Sequence, residues 1–401
     1  MTTRPTQAQP SELITVTPMV KYKGFKKEQL KIVSAVPEDR DILGRVLPLL
    51  TTPQFAEMPS DRQEVVSRVV ESYERKLSST QPELADYVLS GHELVEFKNL
   101  EDRDVLRYVF YRYKYNKFPE QQWLDDFPPC VQIEPSSICN YRCVMCYQVD
   151  TSFSSKHSGY MGSMSLELFK TLIDQLEGHV EAITLASRGE PLLNKEIGSM
   201  LEHCGGKFLG LKVNTNASTL NEKLCHALLS SDIQTLVFSI DAADRETYEA
   251  IRVRGKFDRV MKNMELFQAV KEKHYPDSRM TTRISGVKIN DSQDMEAMKK
   301  TWASFADMVA FTNYIPWHDS YRNAVNDIEP PCTDLWRRMF VWQDGTVNPC
   351  DYDYKSILSK WNANDMGLSD IWISPEYNEL RRLHLDKMRS KLEPCRRCIA
   401  V

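Results

Sequence analysis

Cys139-Asn-Tyr-Arg-Cys143-Val-Met-Cys146 governs how the rest of this chain is read. Three thiols at this spacing can wrap one face of a cubane iron–sulfur cluster, because soft sulfur ligands suit iron. No fourth cysteine follows nearby, which leaves one iron of such a cubane free to bind a substrate or cofactor. The competing reading is a zinc knuckle completed from elsewhere, by His157 for example. Zinc loops usually supply their ligands in close pairs, and this triplet is not paired.

Working outward, Val131–Glu134 reads as a strand, which puts the triplet in the loop at its carboxyl end. Leu166–Leu176 reads as a helix. Further strands are expected over Glu181–Ala186, Phe208–Asn214, Thr235–Ile240, Thr282–Val287 and Met308–Tyr314, with helices between them. One of these helices is opened by the capping pattern Thr219-Leu-Asn-Glu222. Such alternation implies a parallel sheet covered by helices. Six strand–helix units fall short of a closed eightfold barrel, so the expected fold is α/β, a partial (β/α)6 barrel. Chemistry in such folds sits at the carboxyl ends of the strands.

Three polar segments fall at those ends: Ser187-Arg188-Gly189-Glu190-Pro191, Asn214-Thr-Asn216, and Ser239-Ile-Asp241 continuing to Arg254. A carboxylate and free carbonyls suit an ammonium group, which offers only donors. Each segment alone reads equally well as a polar loop or helix cap. Taken together with the cysteine triplet, they resemble the radical S-adenosylmethionine (SAM) superfamily. The resemblance implies a 4Fe–4S cluster on Cys139, Cys143 and Cys146, whose open iron chelates the amino and carboxylate groups of SAM. It places Met145 near the adenine. Ser187–Pro191 resembles the family's Gly-Gly-Glu motif, which holds the amino group, with Arg188 in place of the first glycine and Gly189 and Glu190 as the rest. Asn214, Asn216, Ser239, Asp241 and Arg254 are the further cofactor contacts it implies.

A second site is expected near the C-terminus. Cys332, Cys350 and the pair Cys395-Arg-Arg-Cys398 supply four thiolates, enough to saturate one cubane. A zinc ribbon normally shows two close pairs, and only one is present. Phe340-Val-Trp-Gln-Asp-Gly345 reads as a strand and turn leading to Asn348-Pro-Cys350. The stretch from Pro331 to Cys398 resembles the twitch domain, the shortened form of the SPASM auxiliary-cluster region, and implies a second 4Fe–4S cluster. Cys130, Cys204 and Cys225 fall at strand starts or on helices, and are expected to be buried, unreactive thiols.

Upstream of Pro128-Pro129 no metal-ligand spacing and no glycine-rich loop occurs. Leu13–Val20 and Gln29–Val36 read as short strands. Ser60-Asp-Arg-Gln63 reads as a capping box opening a helix to about Leu77. Asp102–Lys117 carries Val105, Tyr108, Val109, Arg112 and Tyr113 at helical spacing, more consistent with a helix packing inward than with an RNA-binding stripe. The expected organisation is therefore an extension at 1–128, the barrel at 129–320 and the auxiliary-cluster domain at 321–401. The chain has 401 residues, 42% hydrophobic and 27% charged, with a formal net charge of −5, a balance that argues against a nucleic-acid partner. No apolar run reaches membrane-spanning length and Met1–Pro10 is polar, so a cytoplasmic protein is expected. Ten cysteines in a reducing compartment point to metal binding.

The resemblance implies an enzyme in which a 5′-deoxyadenosyl radical takes hydrogen from an unactivated carbon. The leading expectation is oxidation of a secondary alcohol on a sugar or cyclitol to a ketone, with the auxiliary cluster as electron acceptor and a flavodoxin or ferredoxin as reductant. Epimerisation of a sugar is the runner-up; it needs a hydrogen donor, usually a thiol, and none is expected at the reacting face, although a tyrosine or a thiol from the tail could also deliver hydrogen. Modification of a peptide, with residues 1–128 as leader-binding domain, is a third reading, although only two strands are legible there and such domains tend to show three. An iron–sulfur redox sensor is the non-enzyme alternative, and it would need no SAM pocket. Tyr314, His318, Asp319, Tyr321 and Arg322 follow the last strand; they are either substrate contacts or solvated loop. No residue is assigned as general base.

Overall fold

The computed structural model describes residues 29–32, 37–78 and 85–399. Its strands are β1 (Gln29–Ile32), β2 (Cys130–Ile133), β3 (Ala182–Leu185), β4 (Gly210–Thr215), β5 (Thr235–Ser239), β6 (Thr281–Lys288), β7 (Met308–Asn313), β8 (Arg338–Val341), β9 (Thr346–Asn348) and β10 (Trp361–Asn362). All ten lie in one sheet, ordered β1-β7-β6-β5-β4-β3-β2-β8-β9-β10. β2 to β7 are parallel neighbours in sequence order, the open barrel expected from the alternation. Two additions lengthen it. β1 runs antiparallel on β7, and β8 pairs parallel with β2, Val131 opposite Met339. The auxiliary region is thus built onto the barrel's own sheet through β8 and its hairpin partner β9.

The faces of the strands follow from alternation. Along β4, Leu211 and Val213 are buried in the core beneath the helices, while Lys212 and Asn214 take the alternate positions facing the lumen. The core joins Ile133, Leu185, Leu236, Phe238 and Ile284 to helix residues such as Leu172, Leu228, Phe267 and Trp302. Helix 166–176 begins as expected, with Ser165 Oγ accepting from Leu168 N at 3.2 Å. Helix 222–229 is capped by Asn221, which accepts from Leu224 N at 3.0 Å, and not by Thr219 two residues earlier. Ser60 also lies inside its helix (60–78), and Gln63 Nε2 donates to the Met58 carbonyl at 2.7 Å in place of a capping box.

Helices 39–46, 60–78, 91–98 and 102–121 form a second core that includes Cys130, Ala182 and Leu209. The extension therefore closes the amino end of the barrel. Tyr108, Tyr111 and Tyr113 are buried in it, and Arg112 is paired with Glu93 and Glu96, so helix 102–121 is interior and presents no stripe to RNA. Among the described residues the extension contributes one strand, spent on the barrel edge. The expected strand Leu13–Val20 and the last four residues of Gln29–Val36 lie outside the described residues. No helix among the described residues is long and apolar enough to cross a membrane.

Candidate functional site

After β2 the chain crosses the carboxyl ends of the strands as a loop pinned to the segment following helix 245–251. Arg142 N donates to the Val253 carbonyl at 2.9 Å, and Val144 N to that of Ile251 at 3.0 Å. This brings Cys139, Cys143 and Cys146 into one apolar cluster with Tyr141, Met145, Ile251, Val287 and Tyr314. Burial pushes the Cys139 thiol up to about 12 and raises Cys143 and Cys146 as well. Thiolates here need a bound cation to form at neutral pH. Tyr141 N lies 3.4 Å from Cys139 Sγ, and Asn216 Nδ2 and Arg252 Nη1 lie 4.0 Å from the sulfurs of Cys139 and Cys143. These donors aim at the sulfurs from outside, where they stabilise thiolate charge. Among the described residues no three His, Cys, Asp or Glu side chains converge tightly enough to hold one metal ion, a convergence that a cubane does not require. His157 is exposed.

The segments ending β3 to β5 line the same mouth. Ser187 holds a φ of 147°, rarely adopted by a side-chain-bearing residue, and its Oγ is buried without a partner. A Cβ on Gly189 would stand 2.2 Å from the Ser136 carbonyl oxygen, so only glycine lets the cysteine loop pass this closely. Glu190 is buried, accepting from Thr215 Oγ1 and Asn216 N at 2.7 Å each and from Leu192 N at 3.1 Å. Burial pushes its carboxyl up despite these donors. Asn214 Oδ1 is a second buried acceptor without a partner. Asn216 accepts from Ser218 and donates to Asn140 Oδ1 at 3.0 Å; Ser239 ends β5 half-buried. The orphaned oxygens of Ser187 and Asn214, at adjacent strand ends beside the cysteines, suit a ligand that brings donors. An amino-acid ammonium is such a ligand.

Two expected contacts are corrected. Arg188 does not face the mouth. Its guanidinium is bidentate on Glu134, Nη2 to Oε1 at 2.6 Å and Nε to Oε2 at 2.8 Å, and Nη1 donates to the Tyr354 carbonyl at 2.9 Å. Its own carbonyl accepts from Gln148 Nε2 at 2.6 Å, so no part of Arg188 is free for a cofactor. Arg254 is exposed at a φ of 72°, and the arginine at the cysteines is Arg252, held by Asp241 Oδ2 at 2.7 Å. Asp241 also accepts from Val287 N at 2.8 Å, which makes it a positioning residue for Arg252.

The second cysteine set is brought together too. Cys332, Cys350, Cys395 and Cys398 line one cavity with Leu335, Leu358 and Leu380. Arg389 ties its rim, donating to the carbonyls of Cys395 at 3.1 Å and Cys398 at 2.9 Å. Burial raises the thiols of Cys332, Cys350 and Cys395, so here as well a bound cation is what makes thiolates. Between the two sites runs a seam that the sequence did not reveal. Tyr147, next to Cys146, stacks on Tyr354 with centroids 5.0 Å apart. Tyr354 OH donates to Asp150 Oδ2 at 2.8 Å, which also pairs with Lys355 at 2.6 Å. Tyr321 donates to Asp353 Oδ1 at 2.6 Å and is a wedge in this seam. Tyr314 joins the cysteine cluster and lies 3.0 Å from His318 Nδ1, while Arg322 and Asp319 form a loose surface pair. Cys130 packs in the extension's core; Cys204 and Cys225 are fully buried in the main core.

Comparison with known proteins agrees with this layout. Residues 133–301 match the radical SAM superfamily, and residues 332–399 match SPASM, an iron–sulfur cluster-binding domain. Mycofactocin maturase MftC of Mycolicibacterium smegmatis is 26% identical over 140 residues, 35% of this chain and 34% of the maturase. Fe-coproporphyrin III synthase of Methanosarcina barkeri is 26% identical over 168 residues, 41% of this chain and 40% of the synthase. The chain thus spans well under half the length of these curated relatives. Streptococcus suis SuiB bound to S-adenosylmethionine shares the fold, with a TM-score of 0.50 over 80% of each chain at 16% identity. The chain carries a radical SAM domain followed by a SPASM iron–sulfur cluster-binding domain, and these imply a 4Fe–4S cluster, S-adenosylmethionine and auxiliary iron–sulfur as its cofactors.

Proposed function

We propose that this protein oxidises a secondary alcohol on a sugar or cyclitol to a ketone. Cys139, Cys143 and Cys146 hold the first cluster, and Ser187, Gly189, Glu190, Asn214, Asn216 and Ser239 surround SAM, with Met145 beside it. Cys332, Cys350, Cys395 and Cys398 hold the second. When bound, these groups supply a hydrogen-abstracting 5′-deoxyadenosyl radical and, at the fully ligated second cluster, an electron acceptor. A carbon radical beside a hydroxyl becomes a ketone by losing one proton and one electron. The carrying observation is that four cysteines wall a single cavity of their own, while the three remaining thiols are packed in the cores or at the amino end. No hydrogen-donating thiol therefore stands at the reacting face among the described residues, which favours oxidation over epimerisation. A flavodoxin or ferredoxin is the reductant in this reading.

The test is to incubate reduced protein with deuterated sugars and cyclitols. Deuterium should appear in 5′-deoxyadenosine, and the product should be two hydrogens lighter than the substrate. Alanine at Cys130, Cys204 or Cys225 should leave product formation in place. Turnover lost at one of them while cofactor cleavage continues would identify that thiol as a hydrogen donor and select epimerisation. Replacing Cys395 and Cys398 with alanine should lower the iron content by about four atoms and loosen the C-terminal region, since metal binding there is also folding energy. Zinc at this site would remove the acceptor.

Peptide modification is the second reading, supported by the 140 residues similar to mycofactocin maturase. Against it, the described part of the extension packs its helices on the amino end of the barrel and contributes one strand, with no separate sheet of its own among the described residues. Deuterium transfer from a peptide and not from sugars would choose it.

A further inference from the structure

The barrel lumen holds two cations that no described residue pairs with. Lys212 in β4 and Arg283 in β6 occupy lumen-facing positions, their neighbours Leu211, Val213 and Ile284 being in the helix-covered core. Neither makes a hydrogen bond or ion pair with any described residue, and Arg283 Nε is wholly buried without a partner. Arg112 and Arg338, close enough to act on Lys212, add positive charge, while Cys130 acts on Lys212 and Tyr115 on Arg283 in the opposite sense. The nearby carboxylates are already committed. Glu93 and Glu96 pair with Arg112, and Asp334 lies 3.6 Å from Arg338, whose Nη2 also donates to Tyr115 OH at 2.6 Å. Burial accordingly lowers Lys212 to about 7 and Arg283 to about 10. Both side chains are half-buried, so their unpaired charges stay open to a ligand that compensates them.

We propose that Lys212 and Arg283 form a subsite for an anionic group, a carboxylate or phosphate, carried by the substrate of the reaction proposed above. This inference rests on that reading and narrows its substrate to an anionic sugar or cyclitol. The extension closes the lumen from below, so the anion enters from the carboxyl-end mouth. Lys212 lies two residues below Asn214, about 7 Å along the strand. Arg283 stands in register with Asn214 through Val237, so an anion held between Lys212 and Arg283 leaves the neutral ring of the substrate nearer the strand ends, toward Ser187. Ammonium and guanidinium together suit such a charge, one as a point donor and the other as a planar fork.

The experiment uses the reconstituted full-length protein under anaerobic conditions. Inorganic phosphate and acetate are titrated separately against chloride at matched ionic strength, and the unfolding midpoint is followed. Phosphate or acetate should raise the midpoint by roughly 2–4 °C once well above its Kd. Lys212→Met and Arg283→Met should each weaken that Kd by about tenfold or more. In chloride alone Lys212→Met should unfold at a higher temperature than the wild type, because an uncompensated charge is replaced by an apolar chain of similar length. Unchanged anion affinity in both variants, or a wild type indifferent to both anions, overturns the subsite. So does a Lys212→Met chain that unfolds earlier in chloride, since the ammonium then supports the fold. A wild type that forms 5′-deoxyadenosine without any anion response loses only this subsite. One that binds phosphate but forms no 5′-deoxyadenosine loses the function proposed above.

Discussion

Replacing Cys139, Cys143 and Cys146 together with alanine should lower the iron content of anaerobically reconstituted protein by about four atoms and end S-adenosylmethionine cleavage. The three thiols sit in an apolar cluster where burial holds their protons on, so no other ligand chemistry is poised to replace them. The second set of cysteines lies in its own cavity and should keep its iron. Iron content and 5′-deoxyadenosine yield thus separate the two sites in one preparation. A triple variant that still cleaves the cofactor would sink the assignment of the first cluster. The surrounding cluster is apolar, and alanine adds no polar atom to it, so the fold should survive and far-UV circular dichroism should be unchanged.

The barrel was readable because its strands are short apolar runs bounded by polar ends. Ala182–Leu185 is buried at every position, and Leu166–Leu176 carries its own cap and apolar face. Strand partners beyond the repeating unit were less accessible. Nothing in Arg338–Val341 says that it will lie beside Val131, some two hundred residues earlier, because pairing is decided by which edge remains open. The cysteines could be grouped from spacing, but the residues that tune them could not. Arg254 stood at the expected place, yet its left-handed backbone turns it outward and leaves Arg252 facing Asp241 and Cys143. Arg188 carried a signal of a different kind. A long cation standing where a glycine is expected needs a partner, and Glu134 at the end of β2 provides it.

That partnership predicts a large stability effect. Arg188→Met should cost about 3–5 kcal/mol, because Glu134 is then a buried carboxylate without its counter-charge. Glu134 is fully buried and Arg188 is 2% exposed, so solvent does not screen the pair. The guanidinium also lies 4.2 Å from the Trp342 ring centroid and bonds the Tyr354 carbonyl, both in the auxiliary region. Its loss should loosen the junction between the barrel and that region. Amide exchange should rise first around β8, β9 and Tyr354, and iron should leave the C-terminal site more readily under chelator. Glu134→Leu combined with Arg188→Met should recover part of the loss, since no charge is then left buried, and the cycle of single and double variants measures the coupling. Urea unfolding of the four proteins provides the comparison. An Arg188→Met chain as stable as the wild type, with unchanged exchange around Tyr354, would show that β8 and its hairpin hold the two halves together without the arginine.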